Sequence, residues 1–177
     1  MNLSRLSPAL LAAAILALSA PAIAQPKDPP KATASTSLKA ALTGTAWKIT
    51  SARGTDEKGA DRPIVKGKDV GGQLILGANG RYNYMVVADI PKLAKDRFTT
   101  TPAEDKAVVQ GVLSHYGTYT IDEKERMIVL KIERSSFPNQ NGQNSKRVVT
   151  SLKGDELVLD NPARAMGGTT TVTLKKL

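Results

Sequence analysis

Chemistry in this chain of 177 residues has to come from a short inventory: one histidine (His115), four tyrosines, one tryptophan and no cysteine. Without cysteine there is no disulfide, thiol nucleophile or thiolate metal site. A metal would need His115 together with carboxylates, and no H-x-x-H, H-E-x-x-H or calcium-loop spacing occurs. No G-x-S-x-G turn is present, and a serine triad would have to be built around His115 with a serine that the sequence does not single out. Gly71-Gly72 and Gly167-Gly168 lead into strands and read as turns, not as phosphate loops. No cofactor, metal or catalytic residue is assigned.

Recognition is the chemistry left. Strand alternation puts His115, Gly117, Tyr119 and Ile121 on one face, and Tyr82, Tyr84, Val86 and Ala88 on one face of another strand. Ile128, Leu130 and Ile132 share a third such face, and Arg134 shares their parity. Tyr82, Tyr84, His115, Tyr119, Leu130 and Arg134 are therefore the candidate ligand-contacting residues. Three readings stand for His115: a strand-start residue hydrogen-bonded at a rim, a lumen residue orienting a polar ligand group beside Tyr119, or a general acid or base. An inward Arg134 needs a carboxylate or an anionic ligand; if the strand has already ended, it is simply solvated.

The elements that must carry these residues are mostly strands. Residues 115–121 and 127–132, rich in β-branched and aromatic side chains, flank the polar run Asp122-Glu123-Lys124-Glu125, which reads as a hairpin. Asn79-Gly80 marks a second hairpin, between 73–76 and 81–88. A strand over 47–51 faces Trp47 inward as a floor plug, and further strands are expected over 146–152, 156–160 and 170–174. Thr101-Pro102-Ala103-Glu104 is a capping box with proline at the first helical position. The helix it opens is expected to run to about Ser114 and to lay Val108, Val109, Val112 and Leu113 against the sheet. Residues 54–72 and 135–145 are long polar connections, the second carrying an exposed-looking Phe137. Eight strands joined mostly by short turns favour an all-β, antiparallel up-and-down barrel with one short helix at or across an end, over a two-sheet sandwich.

Residues 1–24 combine Arg5, an apolar run over 9–18 and Ala22-Ile23-Ala24, the pattern of a secretory signal peptide cleaved after Ala24. The protein is thus expected to be periplasmic or secreted, with no transmembrane segment. Residues 25–43 are expected to be a disordered linker with at most one helical turn at 38–42, and residues 44–177 form the barrel domain. The formal charge of +9 points to an anionic partner. The bases are scattered, however, and one Trp with two Phe offers little for stacking, so nucleic acid is not expected.

The chain resembles the bacterial lipocalin-like domain family. The matching pieces are Gly44-Thr45-Ala46-Trp47, Gly72-Gln73-Leu74-Ile75 with Gly80-Arg81-Tyr82, and the run from Tyr116 to Asp122. Ser136-Phe137-Pro138, Arg147 and Gly154-Asp155-Glu156-Leu157 follow. The first motif has one residue more than the usual Gly-x-Trp, and relatives often carry a histidine where this chain has Leu130-Lys131. The resemblance implies a small barrel whose usual conjectured role is ligand binding. On this reading the lumen takes a small hydrophobic or amphipathic molecule, with basic rim residues favouring an anionic head. The rivals are an isomerase or cyclase in which His115 and Tyr119 move a proton, and an envelope-surface protein whose solid, basic barrel meets anionic lipid.

Overall fold

The computed structural model describes residues 37–164 and 167–177. Residues 1–36, and with them the expected leader and most of the expected linker, lie outside the described residues. Among the described residues no helix is long and apolar enough to cross a membrane.

Eight strands follow one another: β1 (Thr45–Gly54), β2 (Lys68–Leu76), β3 (Arg81–Asp89), β4 (Val112–Asp122), β5 (Met127–Ser135), β6 (Asn144–Lys153), β7 (Glu156–Asn161) and β8 (Thr170–Lys176). Each pairs antiparallel with the next, and β1 pairs with β8, so the sheet closes as an up-and-down barrel with no free edge. Side-chain alternation is what closes it. Along β3, Tyr82, Tyr84, Val86 and Ala88 are buried while Arg81, Asn83 and Met85 face solvent.

The ends of the barrel differ. The β2–β3, β4–β5 and β6–β7 connections are tight turns at one end; in the first of these, Gly80 adopts φ +76°, which a side chain would disfavour. Trp47, Leu74, Leu76, Leu157 and Leu174 pack the interior, and the Trp47 Nε1–H donates to Thr45 Oγ1 at 2.7 Å. Helix α1 (Leu38–Leu42) completes this packing, with Leu38 and Leu42 buried in the core. The Glu123 carboxylate in the β4–β5 turn accepts from the backbone N–H groups of Leu38 (3.0 Å) and Lys39 (2.7 Å). Part of the stretch expected to be linker is therefore structured: two leucines four residues apart reach the core from one helical turn.

At the other end lie the long connections. The capping box forms as expected: the Thr101 side chain accepts from the Glu104 N–H, and the Glu104 carboxylate accepts from the Thr101 N–H. Helix α2 (Pro102–Gly111), however, stops short of the expected Ser114. Val112 and Leu113 instead pair with Val87 and Val86 and extend the β3–β4 ladder. Pairing with β3 overrides their helical spacing. Nor does α2 bury its valines against the sheet: Val108 is 39 % exposed and Val109 74 %.

Candidate functional site

At the open end the barrel holds a cavity of about 360 Å³. Its walls are Tyr84, Arg147, Asn161, Thr170 and Val172 from the barrel, Val109 and Gln110 from α2, Val112 and Leu113 from β4, and Ile64, Val65, Phe137 and Arg164 from the connections. Arg62 and Lys66 stand at the rim, exposed to solvent. Among the described residues no Asp or Glu lines it. The connections are tied together by Arg164, whose guanidinium donates to the carbonyls of Thr55 (3.2 Å), Arg62 (3.0 Å) and Pro63 (3.3 Å).

The expected lumen residues divide into three groups. Tyr82, Tyr84 and His115 do meet. His115 is 2 % exposed and its Nδ1 shares a 2.9 Å hydrogen bond with the Tyr82 hydroxyl, the tautomer deciding which group donates. The ring stacks on Tyr84 with centroids 4.9 Å apart, and its Nε2 is buried with no partner among the described residues. Of the three, only Tyr84 lines the cavity.

Tyr119 and Leu130 point inward but belong to the packed interior. The Tyr119 hydroxyl donates to the Gly77 carbonyl at 2.9 Å, so the expected pairing of Tyr119 with His115 is not assembled. Leu130, Ile128 and Ile132 are buried core residues that do not reach the cavity. The hollow is thus confined to the open end, and the lumen does not run the length of the barrel.

Arg134 lies outside the barrel. The β4–β5 register shifts between Tyr116/Arg134 and Gly117/Ile132, which makes Glu133 an extra residue and turns Arg134 to the surface beside exposed Tyr116. Gly117 permits this, because a Cβ there would collide with the Lys131 carbonyl. Of the two alternatives for Arg134, the exposed, solvated one holds, and the residue does not line this cavity.

The arginine inside is Arg147, which is not among the residues expected from the sequence to contact a ligand. It is 7 % exposed, and its guanidinium lies 5.8 Å from the Tyr84 ring centroid. Nη1 donates to Ser145 Oγ (2.5 Å) and to the Lys146 carbonyl (3.1 Å), and among the described residues no carboxylate pairs with it. A signal for it exists: Arg147 alternates with Val149, which is buried. Phe137, which looked exposed in sequence, is half-buried in the cavity wall.

These neighbours set one another's charge. Burial, and then the Arg147 charge, drive the His115 pKa down to about 3, so the imidazole is neutral at ordinary pH. Burial pushes the Tyr82 and Tyr84 hydroxyls up, an effect partly offset by Arg147, and both stay protonated. Burial lowers the Arg147 pKa, yet arginine starts high enough to remain charged. The site therefore presents one buried cation, Arg147, beside neutral tyrosines, with Arg164 half-buried and Arg62 and Lys66 exposed on the same wall.

Residues 44–174 match the model of a family described as a lipocalin-like domain. No curated protein matches the sequence.

Proposed function

Because this chain belongs to the lipocalin-like domain family, we propose that it is a binding module whose open-end cavity takes a small, partly apolar anion. One observation carries the reading: a cavity walled by Arg147, Arg164, Arg62 and Lys66 together with aliphatic side chains, and by no carboxylate. The apolar wall supplies affinity through area removed from water, and the cationic lining selects the sign of the ligand. At about 360 Å³ the cavity is near the lower end of ligand pockets, roughly 300–1,000 Å³, which suits a molecule with one or two fused rings or a short chain. His115, behind Tyr84 and bound to Tyr82, does not line this cavity, so the proposal gives it no contact with the ligand.

Native mass spectrometry of the protein isolated gently from its own source is expected to show a retained small acid. In a thermal-denaturation screen, naphthalene-1-carboxylate should raise the midpoint while the matched amine, naphthalen-1-ylmethylamine, leaves it unchanged. A bare mass together with equal responses to the two probes would overturn the reading.

The proposal includes export to the periplasm or beyond, on the strength of the leader pattern over residues 1–24. Amino-terminal sequencing of the mature protein should begin at Gln25; a chain beginning at Met1 would count against export.

A further inference from the structure

Arg147 does more than add positive potential, because its donors are unevenly used. Nη1 is held by Ser145 Oγ and the Lys146 carbonyl, while Nε and Nη2 have no acceptor among the described residues. Neither atom belongs to the buried, unpartnered class that His115 Nε2 represents, so this edge of the guanidinium is open to the cavity that Arg147 lines. The Nε–Nη2 edge presents two parallel N–H groups, the fork that a carboxylate accepts with both oxygens. The plane of the fork is fixed from behind by the two bonds to Nη1 and from the side by the Tyr84 ring.

Position adds direction. Arg147 is nine-tenths buried, whereas Arg62 and Lys66 are exposed at the rim. The apolar walls contributed by Ile64, Val109, Leu113 and Phe137 belong to the connections, α2 and the β4 segment that follows it, towards the open end.

Building on the binding reading above, we infer that the ligand is a monocarboxylic acid bound head-in, its carboxylate held side-on by Arg147 Nε and Nη2 and its apolar body directed outward past Leu113 and Phe137 to Val109. Arg164, the other arginine set into the wall, spends both terminal nitrogens on the Thr55, Arg62 and Pro63 carbonyls, which leaves Arg147 as the fork for a single carboxylate and favours a single charge. The rim cations steer the acid in and do not grip it.

Calorimetric titration of the full-length chain tests this with octanoate, methyl octanoate and octyl phosphate. Octanoate should bind about tenfold or more tighter than its ester, the usual strength of a charge-assisted pair, and tighter than octyl phosphate. Arg147→Met, which keeps length and loses charge, should erase the gap between acid and ester while the ester still binds. Lys124→Ala, exposed in the β4–β5 turn at the closed end, should change octanoate affinity less than about threefold. Arg147→Lys, which keeps the charge but lacks the fork, should retain only a small part of the gap, and it serves as the second variant if the methionine protein does not fold. A gap that survives Arg147→Met or disappears in Lys124→Ala places the head elsewhere and overturns the inference while leaving the binding reading intact; so does phosphate binding as tightly as carboxylate. Failure of the native chain to take up octanoate, its ester or naphthalene-1-carboxylate overturns the binding reading itself.

Discussion

The two ends of this barrel are made from the same eight strands and do opposite things. The closed end joins its strands by turns of a few residues and seals the interior with Trp47, Leu42, Leu74, Leu76, Leu157 and Leu174, none of them more than 1 % exposed. The open end joins its strands by long connections, buries a charged arginine without a carboxylate partner, and leaves Val109 and Phe98, 74 % and 88 % exposed, on its surface. Every local choice at the first end lowers free energy; several at the second raise it. Conflict of that kind collects where a protein does its work.

The largest effect should come from the closed end. Trp47→Ala removes a fully buried side chain from a site with little room to collapse and should cost about 3–5 kcal/mol, read as a lower urea midpoint with unchanged slope. If the ends are independent, the molecules that remain folded keep their affinity for naphthalene-1-carboxylate. A parallel loss of affinity would mean that the cavity depends on the floor, and the contrast would fail.

His115 sits between the two ends and makes their boundary sensitive to pH. Its folded pKa lies at about 3, below the ordinary 6.5, so above pH 6.5 both states are neutral and the full stability is present. Below that, the unfolded chain binds a proton that the folded chain refuses, and stability falls by about 1.4 kcal/mol per pH unit until the folded pKa is reached. The loss should be about 3 kcal/mol near pH 4, against a background from the carboxylates. His115→Gln should flatten that part of the profile in urea titrations run at several pH values, since Arg147, Tyr82 and Tyr84 around it do not titrate there. Profiles of equal steepness in the two proteins would mean that His115 is hydrated and not sealed in.

The same contrast explains what could be read from the sequence. The eight strands, the barrel and the inward tyrosines were legible because alternation runs unbroken along β3 and over His115–Tyr119 of β4. Arg134 was not, because one extra residue after Ile132 reverses the parity on which its placement rested, and bulges carry no strong signature of their own. Helix α2 was legible at its start, where capping is local chemistry, and not at its end, where pairing with β3 decides. The cavity was least legible of all, since much of its wall comes from connections whose meeting points, such as Arg164 on the Thr55, Arg62 and Pro63 carbonyls, are set only once the barrel has closed. Arg147 lies between these cases: its parity with Val149 was available, but an inward arginine in a strand reads as an error until a cavity is known to be there.

Arg147→Met should act with the opposite sign to Trp47→Ala. Replacing an unpaired buried charge by an apolar side chain of similar length should stabilise the fold by about 1–3 kcal/mol while abolishing selectivity for the acid. Urea midpoints of the two proteins without ligand give the answer. A destabilised Arg147→Met would make the arginine a structural clasp for Ser145 and the β6 backbone, and would move it to the closed end's side of the comparison.

The smallest change in stability should come from the most exposed part of the open end. Val109 is 74 % exposed, so Val109→Ser removes little buried area and should shift stability by less than about 0.5 kcal/mol. With a ligand present the accounting changes, because the body of an acid held at Arg147 covers this side chain and removes it from water. Losing roughly 1 kcal/mol of that burial should weaken octanoate about fivefold and leave acetate, too short to reach α2, unaffected. Equal losses for the long and the short acid would place the effect in the carboxylate site, whereas a loss confined to the long one measures directly how far outward the bound molecule extends.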